Sequence, residues 1–218
     1  MMTPVQIKIC GVTNVKDAGA SAEMGASMIG FNFYPHSPRY IGPEVARRII
    51  EAMPPEVCAV GVFVDASAEE IRNTADAAGV RNVQLHGRTS PDTVSELARK
   101  FRVIRAFSTD PQFRPEEVSL FGDCDVLVDA HHPNLRGGTG LTCDWLAART
   151  TRSFSRFLIL SGGLTEQNVG QAMAAVAPHA VDVCSGVERA PGVKDHHALQ
   201  NFIAAVRRVN WVNAFTSS

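Results

Sequence analysis

The sequence has no run of lysine or arginine, and its formal net charge is only -1. This excludes the basic footprint with which proteins hold a nucleic-acid backbone or an anionic membrane surface. It has no C-x-x-C pair, and its five cysteines, Cys10, Cys58, Cys124, Cys143 and Cys184, are odd in number and widely spread. Neither a thiolate zinc site nor a disulfide framework fits that spacing, so free thiols are expected. Four of them read as small buried hydrophobes, and Cys10 is set apart below. There is no H-E-x-x-H, and the histidine pairs at 131–132 and 196–197 are adjacent residues whose side chains diverge, so surface or loop positions are expected and metal binding is not. Both G-x-x-x-x-G-K-[ST] and an early G-x-G-x-x-G are absent, which removes support for nucleoside triphosphates and dinucleotides. The apolar runs are strand-sized, nothing at the start reads as a secretory signal, and no Gly, Ser or Pro linker divides the chain. A cytoplasmic protein with one domain over 1–218 and a small-molecule substrate is expected, with no nucleic-acid or membrane partner.

What the sequence does have is alternation. Short β-branched runs recur as "VQIKIC", "SMIGFNF", "VCAVGVFV", "NVQLH", "RVIRAF", "DVLVDA", "RFLIL" and "AVDVC", and helical periodicity lies between them at 14–24, 44–53, 68–78, 93–100, 166–176 and 198–209. Eight strand runs, each followed by a helical or short irregular segment, predict an α/β fold of parallel βαβ units closed into a single (β/α)8 TIM barrel. An open sheet of fewer strands is the alternative.

In such a barrel the chemistry sits at the carboxyl ends of the strands. Cys10, Arg39, His86, Asp129, Asp182 and Ser185 all fall at or just past such ends. "SGG" at 161–163 and "CSG" at 184–186 close the seventh and eighth runs, and their glycines leave backbone N–H groups open to an anion. Either alone fits a plain turn; both together, in those two loops, point to phosphate. "GGTG" at 137–140 suits a lid over substrate, or a loop without function. Cys10 and Asp129 form the candidate catalytic pair. A free thiol titrates near ~8.5 and a carboxyl near ~3.9; burial raises the second and nearby cations lower the first, giving a thiolate base and a carboxylic acid in one pocket. Lys8 alternates to the same face as Cys10 and can favour its thiolate. From spacing alone Cys10 also fits a structural thiol, and His86 fits either a substrate contact or a satisfied structural histidine.

The motifs "KICGVT", "GFNFYPHSPRYI", "VGVFV", "VQLHG", "LVDAHHPNLRGGTGLTCDW", "LSGGLTEQNV" and "AVDVCSGVERAPGVKD" resemble, in order and over almost the whole chain, the phosphoribosylanthranilate isomerase family of tryptophan biosynthesis. The resemblance implies a single (β/α)8 barrel, without metal or organic cofactor. It would convert N-(5'-phosphoribosyl)anthranilate into 1-(2-carboxyphenylamino)-1-deoxyribulose 5-phosphate by an Amadori rearrangement, as a monomer or homodimer. It further implies Cys10 as general base and Asp129 as general acid, with Arg39 on the anthranilate carboxylate and His86 and Asp182 as further substrate contacts. The phosphate would rest on amides of Gly162, Gly163, Ser185 and Gly186. The chain departs from the family pattern at Cys184, where serine is usual, and at Cys143, where phenylalanine is usual. If Cys184 lies beside the phosphate, a thiol has replaced a better hydroxyl donor. Two rivals are the related histidine-pathway isomerase, which carries aspartate where Cys10 stands, and a catalytically silent phosphate-binding barrel.

Overall fold

The computed structural model describes residues 4–110, 112–122, 124–129 and 145–216, with side chains as far as residue 209. Its elements run β1 (Gln6–Ile9), α1 (Val15–Met24), β2 (Met28–Asn32), α2 (Pro43–Glu51), β3 (Cys58–Val64), α3 (Ala68–Ala78), β4 (Asn82–His86), α4 (Pro91–Ala98), β5 (Arg102–Ser108), a 3-10 turn (Pro115–Phe121), β6 (Asp125–Asp129), α5 (Trp145–Thr151), β7 (Leu158–Ser161), α6 (Val169–Val176), β8 (Ala180–Val183), β9 (Glu188–Ala190), β10 (Val193–Lys194) and α7 (His196–Thr216). Strands β1 to β8 pair in sequence order, and β8 closes on β1 with Lys8 opposite Asp182. The closed barrel anticipated from the eight runs is therefore the fold, and the open sheet is not.

Strands buried on both faces need apolar residues at both parities, which is why the runs look almost continuously hydrophobic. One parity fills the barrel with Met28, Val60, Ile104, Ala106, Leu127, Ile159 and Ala180. The other parity, including Ile9, Phe31, Leu85, Val126 and Leu160, packs outward in the core beneath the helices. Helix starts follow their caps: Asn14 Oδ1 accepts from the Asp17 N–H at 2.9 Å, and Ser67 with Glu70 forms a capping box. Helix α4 begins at Pro91 behind the Ser90 cap, two residues before its apolar periodicity does.

Two features were not anticipated. Helix α5 is short, and its seven residues, WLAARTT, span too few turns to give a periodic signal. The β9–β10 hairpin follows β8 and folds back over the barrel mouth, held by Thr13 Oγ1 donating to Gly192 O at 2.6 Å and by the Lys194 N–H donating to Asp17 Oδ2 at 2.9 Å. His196 joins the same knot at 2.8 Å from Asp17 Oδ1, so it is a structural partner and not the plain surface residue expected. Among the cysteines, Cys124 is buried as expected, whereas Cys58 is exposed and Cys184 is half-buried. Cys143, the histidines at 131–132 and the "GGTG" segment lie outside the described residues. No helix among the described residues is long and apolar enough to cross a membrane.

Candidate active site

Above the apolar filling, the inward parity turns polar. Lys8 Nζ donates to Asp182 Oδ1 at 2.8 Å, and Ser161 Oγ donates to Asp182 Oδ2 at 3.0 Å. Asp129 ends β6 as the strand partner of Ser161, and it shares the inward parity of Leu127. With Cys10 just beyond β1, these residues form one arc across strands β1, β8, β7 and β6. Room for it comes from Gly30 on β2, where a Cβ would lie 2.9 Å from Cys10 Sγ and 3.2 Å from Lys8 Nζ.

Cys10 is 9% exposed, and its N–H donates to Val183 O at 2.9 Å. Its thiol is lowered from 9.0 to about 6: the hydrogen bond from the Cys184 thiol contributes most, and the Lys8 and Lys194 ammonium groups add to it against burial and the Asp182 charge. Cys184 moves the opposite way, because the neighbouring thiolate and burial both hold its proton on. The two thiols are thus pushed in opposite directions, with Cys10 favoured as the anion and Cys184 as the thiol. Burial alone would strip the proton from Lys8, but the Asp182 and Cys10 charges outweigh it and raise its pKa.

Arg39 lies in the loop after β2, and its Nε and Nη2 both donate to the Glu188 carboxylate, with the Nη2–Oε2 bond at 2.6 Å. One edge of the guanidinium is occupied by this side-on pair, and the end-on edge remains for a ligand carboxylate. Glu188 Oε1 also accepts from Lys194 Nζ at 2.9 Å and from the Gly192 N–H at 3.2 Å. Burial, followed by the Lys8 charge, pulls His86 from 6.5 to about 4, so its ring is neutral at pH 7. Its Nε2 lies 2.6 Å from the side-chain amide of Gln84, whose Oε1 is buried without a partner. Asp182, 5% exposed, has both oxygens engaged by Lys8 and Ser161.

The two glycine loops meet. A Cβ on Gly186 would lie 2.1 Å from Leu164 O, so only glycine permits this approach. Among the described residues the amides of Gly162, Gly163, Ser185 and Gly186 donate to no protein acceptor. Such amides suit an anion.

Glu188, Lys194, Ser161 and Gln84 escaped the sequence reading. Glu188 and Lys194 stand in the quoted "SGVERAPGVKD", but only the hairpin reveals that they fold back to the mouth. Arg105 was also missed: it points out of the barrel, is 8% exposed, and donates to Leu85 O at 2.9 Å and to Gly87 O at 2.7 Å, bracketing His86. The Cys184 thiol donates to Glu188 Oε1 at 3.8 Å and neighbours Cys10 across the β8–β1 pairing. No group of three or more His, Cys, Asp or Glu among the described residues could hold a metal ion.

Fold and site together define a (β/α)8 barrel that carries a cysteine and carboxyl groups on one polar arc, beside two glycine loops at its carboxyl-terminal mouth. The chain belongs to the N-(5'-phosphoribosyl)anthranilate (PRA) isomerase family, whose model matches residues 7–205. The N-(5'-phosphoribosyl)anthranilate isomerase of Geobacter sp. (strain M21) is 44% identical over 208 residues, covering 94% of this chain and 99% of that protein. The crystal structure of phosphoribosyl anthranilate isomerase from Thermotoga maritima matches with a TM-score of 0.86 at 41% identity, covering 94% of this chain and 99% of that one. A phosphoribosyl anthranilate isomerase crystallised with reduced 1-(o-carboxyphenylamino)-1-deoxyribulose 5-phosphate matches with a TM-score of 0.84 at 40% identity, again over 94% and 99%.

Proposed function

We propose that the chain, as a single catalytic domain over 1–218, performs the family's rearrangement of N-(5'-phosphoribosyl)anthranilate in tryptophan biosynthesis, with Asp129 as general acid and Cys10 as general base. Asp129 protonates the ribose ring oxygen, opening the aminal to an imine. Cys10 then removes the C2 proton, and the resulting enolamine becomes the ketone. The positive imine itself accepts the electrons released at C2, so the chain needs to supply only proton transfer and position. The observation that carries this reading is the arc at the barrel mouth, where Cys10 Sγ and Lys8 Nζ flank Gly30 and Asp129 shares the inward face.

The remaining groups divide by charge. The end-on edge of Arg39 takes the anthranilate carboxylate, with Glu188 fixing the plane of the guanidinium. The amides of Gly162, Gly163, Ser185 and Gly186 take the phosphate, and neutral His86 offers its free ring nitrogen to a sugar hydroxyl. Asp182 acts through Lys8 and Ser161 rather than on the substrate directly. The protein is proposed to work in the cytoplasm as a monomer or homodimer. The test is product identification: purified protein given freshly generated N-(5'-phosphoribosyl)anthranilate should yield 1-(2-carboxyphenylamino)-1-deoxyribulose 5-phosphate by mass and by chromatography. Failure to form that product, with the substrate shown to be intact, would overturn the assignment.

A further inference from the structure

We propose that Cys10 and Cys184 form an oxidative modification site, at which a hydroperoxide closes the pair into an intramolecular disulfide that disables the barrel mouth and a dithiol reopens it. The backbone places the two residues side by side. Strands β1 and β8 are neighbours with Ile9 opposite Val183, and the two cysteines follow directly on each strand. Neighbouring strands lie about 4.8 Å apart, within the roughly 4.4–6.8 Å that disulfides span between Cα atoms. Lys194 holds both residues at once, its Nζ donating to Cys10 O at 2.5 Å and to Cys184 O at 3.3 Å. The Cys184 sulfur leans toward the first strand: a Cβ on Gly11 would lie 3.0 Å from it.

The chemical roles differ between the two thiols. Cys10, beside the Lys8 ammonium, favours the thiolate, the form that attacks a peroxide, whereas Cys184 donates its thiol proton to Glu188 Oε1 at 3.8 Å on the neighbouring strand end. The Cys10 sulfur attacks the O–O bond, becomes a sulfenic acid and releases hydroxide, or an alkoxide from an organic peroxide. The Cys184 sulfur then displaces the sulfenic hydroxyl, and its proton leaves with that group as water. Two thiols thus lose two electrons and two protons, and hydrogen peroxide takes them up as two molecules of water. The mouth that must admit a substrate also admits peroxide, and Cys184 is half-buried rather than sealed. The serine usual at this position cannot complete the second step.

The test treats purified full-length protein with hydrogen peroxide, then reads intact mass, the non-reduced peptide map and turnover, with each variant normalised to its own untreated rate. Wild type should lose about 2 Da, yield a peptide joining Cys10 to Cys184, and fall to the residual rate of Cys10→Ala, with all three changes reversed by dithiothreitol. Cys184→Ser should instead gain about 32 Da on Cys10 as the sulfinic acid, and its lost activity should not return with dithiothreitol. Sulfinic acid on Cys10 in wild type without the joined peptide would overturn the proposal. So would equally reversible inactivation of Cys184→Ser. The mass readout stands whether or not Cys10 is the base.

Discussion

Replacing Cys184 with alanine removes the donor that contributes most to the Cys10 thiolate. A hydrogen bond to a charged group is worth about 1.5–3 kcal/mol, and one pH unit corresponds to about 1.4 kcal/mol. Cys10 should therefore titrate roughly one to two pH units above its starting value, which is about 6. A base works only when unprotonated, so kcat/KM falls as the pH drops through the pKa of Cys10. The acid limb of the wild-type profile should lie near pH 6, and that of Cys184→Ala at roughly pH 7 to 8. At pH 7 the variant should be roughly two- to tenfold slower, converging on wild type by about pH 9. Cys184→Ser keeps a hydroxyl donor, and its limb should stay near that of the wild type. The assay is kcat/KM from about pH 5 to about pH 9, alongside the pH dependence of iodoacetamide alkylation at Cys10, which separates titration of the base from ionisation of the substrate. An acid limb that does not move in Cys184→Ala, by either measure, would show that Cys184 does not lower the pKa of Cys10.

Lys8→Met leaves the Asp182 carboxylate buried without its cation, at a cost of about 3–5 kcal/mol. Calorimetry should show Tm lowered by roughly 6–20 °C, and a Tm within a degree or so of wild type would contradict the buried pair. Glu188→Gln weakens the clamp on Arg39, so KM should rise about tenfold while kcat changes much less; an unchanged KM would mean that Arg39 is held without it. Gly30→Ala puts a methyl 2.9 Å from Cys10 Sγ, and kcat should fall at least about tenfold, with a stability loss of about 1–3 kcal/mol. Full activity in that variant would show that the arc tolerates displacement.

The barrel was legible because its strands announce themselves as β-branched runs between turn residues, and because eight of them leave few topologies. Position along a strand then carried Cys10, His86 and Asp129 to the mouth, and parity alone put Lys8 beside Cys10. Pairings between distant segments were not legible. Lys8 and Asp182 are 174 residues apart, and Arg39 and Glu188 are 149 apart; only barrel closure and the returning hairpin bring them together. Cys184 illustrates the limit. Its neighbouring "SG" suggested a phosphate, whereas its place beside Cys10 follows only from the pairing of β8 with β1. Helix α5 was hidden for a local reason, since its seven residues fall short of the window in which a helical period shows.

The central claim is that Cys10 and Asp129 carry the chemistry while other groups carry binding. The most direct test is to measure turnover and affinity together in wild type, Cys10→Ala and Asp129→Asn, with a reduced, non-reacting analogue of the product as the binding probe. Turnover should fall by about a thousandfold or more in each variant, with affinity for the analogue within about tenfold of wild type. Substantial turnover in Cys10→Ala, with the analogue still bound, would contradict it.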